Sequence, residues 1–147
     1  MQIVERTIKD NKAHLIPIGD THLGLKEFRD DKFLSYREWI LKRENVVVYL
    51  LGDIFETPIN RAITCDEPIA PNGMTVSETV AYAYELFAPI RDRIVAVVMG
   101  NHELRSARLS GGDALGTLVM KLGLEDVYDA EQVLVQLKVG KIKYSIV

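Results

Sequence analysis

Cysteine is almost missing from this chain, with Cys65 the single thiol among 147 residues. One thiol cannot close an internal disulfide, and without a Cys-x-x-Cys partner it marks neither a redox pair nor a thiolate metal site. No histidine lies near it in sequence, so it also lacks the base that a thiol nucleophile requires. Charge of one sign is not in excess: the net charge is -3 and acids and bases are interspersed. That excludes a charged tail and weighs against tight nucleic-acid binding through a basic stripe. Long hydrophobic runs are absent as well. Met1 to Asp10 alternates charged and apolar residues, which excludes a signal peptide or membrane span there and makes the cytoplasm the default compartment. No repeat or low-complexity tract appears.

What the chain does have is 48% hydrophobic residues, enough for one core of ordinary domain size. Three apolar runs, Leu15 to Ile18, Val46 to Leu51 and Ile94 to Met99, read as buried strands, and each ends in a short polar phrase. The phrases are Asp20-Thr21-His22, Gly52-Asp53 and Gly100-Asn101-His102-Glu103. Each falls where a strand gives way to a loop, the place where chemistry collects in open α/β sheets.

Between the runs, Glu27 to Arg43 carries Phe28, Phe33, Leu34, Trp39, Ile40 and Leu41 among charges, at the spacing of an amphipathic helix. Thr75-Val76-Ser77-Glu78 matches a capping box and opens a second helix to about Ala88, before Pro89. Asp113 to Leu122 predicts a third helix, stopped at Gly123. Two strand-helix-strand units in succession imply right-handed crossovers and a parallel sheet, so all three phrases reach one edge. An α/β fold follows. Thr57 to Met74, with Pro58, Pro68, Pro71 and Asn72-Gly73, is too broken for either period and reads as a long loop, either walling the site or simply mobile. Val133 to Val139 and Ile142 to Ile146 alternate around Gly140-Lys141 and predict a hairpin belonging to a second sheet.

An Asp, a His, a second Asp, an Asn and a second His at one edge make a metal site the economical explanation. An isolated Asp after a strand is usually a turn or a helix cap. The pairing of Asp20 and Asp53 at corresponding strand ends, both ahead of Gly-Asn-His, favours the metal role. His22, two residues from Asp20, can share its ion. His14, at the start of the first strand, reads as structural, and Gly100 serves the backbone turn. Arg105 and Arg108 follow the last phrase and are placed either to steer a phosphate or simply to be solvated. Gly111-Gly112 lacks the Walker lysine spacing and reads as a turn. Tyr82, Tyr84 and Phe87 pack on a helix rather than stack on bases.

These three phrases, in this order and each after a strand, resemble the signature of the calcineurin-like metallophosphoesterases. The resemblance implies an αββα sandwich, here its N-terminal parallel half and the start of the second sheet. It also implies two divalent cations, manganese first and iron or zinc as alternatives, bound at the sheet edge. Asp20 and His22 then resemble ligands of the first ion, Asp53 the carboxylate that bridges both, and Asn101 a ligand of the second. Two cations about 3.5 to 4 Å apart lower the pKa of a shared water until it attacks phosphorus. His102 resembles the histidine that meets the substrate, Glu103 would orient its ring, and Arg105 would contact the phosphoester.

The family signature continues with a later His and a Gly-His-x-His, which residues 1–147 do not contain. The expectation is therefore an N-terminal portion of one domain, with weak metal binding and little turnover by itself. Serine/threonine phosphatases of the family read Gly-Asp-x-Val-Asp-Arg-Gly where this chain reads Gly52-Asp53-Ile54-Phe55-Glu56-Thr57. Together with Asp20-Thr21-His22-Leu23-Gly24, this wording is more similar to the nuclease and bacteriophage phosphoesterase branch. A phosphodiester is expected as substrate, with nucleic acid or a nucleotide as its source and no membrane partner. The alternatives are a phosphomonoesterase or protein phosphatase, or a non-catalytic binding module on the same scaffold.

Overall fold

The computed structural model describes residues 1–56 and 70–147. Its elements run β1 (Gln2–Ile8), β2 (His14–Ile18), α1 (Asp30–Leu41), β3 (Val46–Leu50), α2 (Val76–Phe87), β4 (Ile94–Val97), α3 (Asn101–Ser110), α4 (Ala114–Leu122), β5 (Val133–Val139) and β6 (Ile142–Ile146). A 3₁₀ turn, Ala88–Arg93, absorbs Pro89 after α2. The strands form two sheets, β2-β3-β4, parallel throughout, and β1-β5-β6, in which β1 and β5 are parallel and β6 returns antiparallel.

β3 explains the layering. All five of its residues are buried, as expected of a parallel strand covered on both faces. Val46, Val48 and Leu50 join Phe33, Ile40, Leu86, Phe87, Leu115 and Leu118 in a core between the sheet and the helices. Val47 and Tyr49 point the other way, into a second core with Ile8, Val133, Val135 and Leu137. Helices, inner sheet and outer sheet thus follow the expected α/β order as far as the described residues go.

The helix ends follow local chemistry. Thr75 accepts from the Glu78 N–H at 3.2 Å while the Glu78 carboxylate accepts from the Thr75 N–H at 2.8 Å, closing the capping box. Asp113 caps α4 through the Gly116 N–H, and Gly123 ends it in the left-handed conformation. Arg37 of α1 donates to the carbonyls of Glu85 and Leu86, binding the unsatisfied C-terminal end of α2 to its neighbour.

Two elements depart from the sequence expectations. Gln2–Ile8, to which the sequence reading assigns no element, is a strand because it pairs along its whole length with Val133–Val139. The third phrase opens the helix α3 at once, rather than a loop. The part of the expected loop at 57–69, Cys65 included, lies outside the described residues. Its end at Ala70 to Met74 is a tight turn tied to the site through the bond from the Asn72 N–H to the Gly24 carbonyl. No helix of the described residues is long and apolar enough to cross a membrane.

Tyr49 is a weak point of this packing. Its hydroxyl is buried without a hydrogen-bond partner among the described residues, beside an apolar cavity of about 630 Å³ between Leu15, Leu51, Val98, Val133 and Ile146. Burial pushes its pKa up to about 12. The unfolded chain ionises near pH 10 and sheds that proton first, so stability should fall as the pH rises from about 10 and level off above the folded value. Tyr49→Phe is expected to gain about 1 kcal/mol at neutral pH by removing an unpaired buried group. It should also shrink the alkaline loss, leaving the part due to Tyr128, which burial and then the acids Asp113, Asp129 and Glu103 likewise push up to about 12. Urea denaturation at pH 7 and pH 11 measures both, and a less stable variant at pH 7 would contradict the prediction.

Candidate metal centre

The loops after β2 and β3 continue the parallel ladder beyond the strands. The N–H of Asp20 donates to the Gly52 carbonyl, that of His22 to Asp53, that of Leu23 to Ile54 and that of Glu56 to Leu23. The Thr21 hydroxyl adds a bond to the Ile54 carbonyl at 2.9 Å. Held this way, Asp20, His22 and Asp53 all adopt positive φ, at 52°, 46° and 49°. Asp and His are among the few residues that tolerate this region, yet each position costs of order 1 kcal/mol or more, and such strain concentrates where geometry serves function.

The result is a compact donor set. One ligand atom from each of Asp20, His22 and Asp53 lies within 4.8 Å of the others. Asp20 Oδ1 is 3.8 Å from His22 Nε2, and the Asp20 side chain is 85% exposed, open to an incoming ion. Carboxylate and imidazole together suit manganese, iron or zinc, so the chemistry of the donors fits a divalent cation. Asn101 is the exposed first residue of α3, beside His102, whose backbone N–H donates to Asp53 Oδ1 at 2.9 Å. The three phrases therefore meet at one sheet edge.

Two glycines permit that meeting. A Cβ on Gly52, at φ +83°, would run into the backbone N and Cα of Gly100, and one on Gly100 would strike Asp53 at its N–H and its carboxylate. Gly100 itself has an ordinary φ of −93°. It serves closeness to Asp53, not the turn expected of it.

Glu103 differs from its expected role. Its carboxylate does not orient the His102 ring. It is 3% exposed and accepts three backbone N–H groups: Asp53 and Gly100 on Oε2, both at 2.9 Å, and Phe55 on Oε1 at 3.0 Å. One buried anion thereby fastens the loop after β3 to the start of α3. The bond to Gly100 is half of a capping box, since glycine has no side chain to return the other half.

The carboxylate that meets His102 is that of Glu56, a residue the sequence marks only as part of the wording after Gly52-Asp53. His102 Nδ1 lies 2.7 Å from Glu56 Oε2, and His22 Nδ1 lies 3.0 Å from the same oxygen. The two imidazoles meet edge to face, with centroids 4.6 Å apart. Arg105 reaches Glu56 Oε1 at 3.3 Å and His102 Nδ1 at 3.1 Å, so it sits in the cluster while remaining half-exposed. With Nδ1 of His22 facing Glu56, its Nε2 is turned toward Asp20. Removal of such an outer partner typically costs 10- to 100-fold in affinity or activity, so Glu56→Ala is expected to weaken manganese binding by roughly that factor. Glu56→Gln, which keeps one acceptor, should lose less. Calorimetric titration distinguishes them, and unchanged affinity in both variants would remove Glu56 from the site.

The position of Glu56 three residues after Asp53 was visible in the sequence, but its meaning depends on a contact across nearly fifty residues. The family model of calcineurin-like phosphoesterases matches residues 14–142. No curated protein and no solved structure matches the chain.

Proposed function

The chain belongs to the calcineurin-like phosphoesterase family, and we infer from this and from its site that it serves metal-dependent phosphodiester hydrolysis of the nuclease-like kind. The observation that carries the inference is the convergence of Asp20, His22 and Asp53 on one point, with His102 alongside. In this assignment Asp20, His22, Asp53 and Asn101 would hold divalent cations, with manganese favoured. Such a pair of cations supplies an activated water and neutralises charge on the phosphoryl oxygens.

The chain's own residues then divide the work. His102, anchored at Nδ1 by Glu56, presents the opposite nitrogen to the substrate, where as an imidazolium it gives its proton to the leaving oxygen. Arg105, with Glu56 holding one end, offers a cation to the phosphoryl oxygens as negative charge builds there. Glu103 keeps the Asp53 backbone in place while this occurs.

A diester is favoured over a phosphoprotein because Thr57 stands where the protein phosphatases carry their phosphate-clamping arginine. The test is hydrolysis of bis(4-nitrophenyl) phosphate, 4-nitrophenyl phosphate and a phosphoserine peptide with manganese added. We expect slow, manganese-dependent turnover of the diester, abolished in Asp53→Asn. Preference for the phosphoserine peptide would reverse the substrate assignment, and turnover indifferent to Asp53→Asn would remove the site from the reaction.

A further inference from the structure

A groove of about 510 Å³ leaves the metal centre at Asp20 and follows α1, lined by Glu27, Phe28, Arg29, Lys32 and Tyr36. Resting on the phosphodiesterase assignment above, we propose that this groove is the subsite for a nucleoside flanking the scissile phosphate, whose base lies against Tyr36 and Phe28.

The aromatic side chains are rigidly supported. Phe28 packs on Phe33 at 5.9 Å between centroids, and Phe33 meets the fully buried Phe87 edge to face at 5.1 Å. The floor of the groove is thus braced by the main core. Tyr36 is 42% exposed and stacks on Trp39, the rings 21° from parallel and 6.4 Å apart. Trp39 is in turn held by the edge of His14 at 5.1 Å and by the Arg43 guanidinium 3.9 Å over its ring. A large, exposed, immobilised aromatic side chain loses little freedom when a flat ligand stacks on it.

The charges suit the remainder of a nucleotide. Asp20 closes the groove at the cation-binding end, where the phosphate would be drawn. Arg29 is committed to Asp31 through two bonds of 2.9 and 2.8 Å, which leaves Lys32 as the cation most available to a second phosphate. Base stacking on aromatics tolerates any base and is not itself an interaction between charges. This accommodates a nucleic-acid substrate despite the net charge of -3.

Trp39 is the single tryptophan, so its fluorescence reports on this cluster alone. The experiment titrates the chain with thymidylyl-thymidine and with an abasic dinucleotide of the same charge. Thymidylyl-thymidine is expected to change Trp39 emission and to bind roughly tenfold tighter than the abasic analogue, in keeping with the stacking of one base. Tyr36→Ala should erase that difference, and Tyr36→Phe should restore it. Equal affinity for the two ligands in the unaltered chain, or a tenfold preference surviving in Tyr36→Ala, would overturn the proposal. Phenyl phosphate binding as tightly as thymidine 5′-phosphate would also overturn it, replacing the nucleoside by any aryl ester. Base discrimination without manganese-dependent diester hydrolysis would refute the catalytic assignment and leave the groove as a nucleoside site. Hydrolysis without discrimination would refute the groove alone.

Discussion

Glu103→Ala should lower the unfolding free energy by about 3 to 5 kcal/mol, a large share of the 5 to 15 kcal/mol typical of a domain. Three backbone N–H groups, of Asp53, Phe55 and Gly100, lose their acceptor together. At 3% exposure, water does not readily replace it, and each buried donor left unpaired costs about 1 to 3 kcal/mol. The carboxylate also sits in the first turn of α3, where the helix field favours an anion. Glu103→Gln separates geometry from charge. Its amide keeps one oxygen for the two donors on Oε2 but turns an NH₂ toward the Phe55 N–H, so an intermediate loss is expected. Urea denaturation of the three proteins gives the ranking, and a loss below about 1 kcal/mol for Glu103→Ala would mean that another acceptor can substitute.

Gly100→Ala should damage the candidate metal centre more than the fold. The backbone conformation suits any residue, so no strain arises from φ, and the added methyl instead collides with Asp53 at its N–H and its carboxylate. Overpacking of this kind costs about 1 to 3 kcal/mol, relieved only if the loop carrying Asp53 moves away. Movement of a ligand by about 1 Å is enough to lose 100-fold in rate, so manganese-dependent turnover should fall by at least that factor. Gly73→Ala is the control. A Cβ there meets nothing within 4 Å, and its positive φ of +90° alone should cost about 1 kcal/mol without touching the centre. Comparing manganese affinity with melting temperature in both variants decides the matter. Equal activity in Gly100→Ala and the parent would show that the two loops can separate without cost.

Much of this arrangement was legible in the chain, for reasons that can be stated residue by residue. Val46 to Leu50 reads as a strand buried on both sides because it has no polar face, and that forces layers above and below it. Thr75 with Glu78, and Asp113 with Gly123, mark helix ends through purely local bonds. Gln2 to Ile8 does not read as a strand, since its inward row mixes Gln2 and Arg6 with Val4 and Ile8, and its partner strand is 131 residues away. Helix α3 is equally hidden. The positions it buries are Glu103 and Ser106, so the apolar period that reveals a helix is not there. The same polarity that hid the helix makes it useful, because it lets a carboxylate reach the loop after β3. Glu56 could not be assigned from spacing, as its two histidine partners come from separate phrases.

The parallel pairing of Gln2 with Val133 and of Ile8 with Val139 has a consequence for how the molecule is made. A chain emerging from the ribosome releases its first strand long before its partner exists, and such distant pairings are slow because loop closure precedes any reward. The inner sheet, whose strands are complete by Val97, can assemble while β1 still waits with an open edge. During that interval Ile3 and Val4 are an invitation to wrong partners, and Glu5 and Arg6 put charges on that edge, a feature of the kind that discourages edge-to-edge pairing.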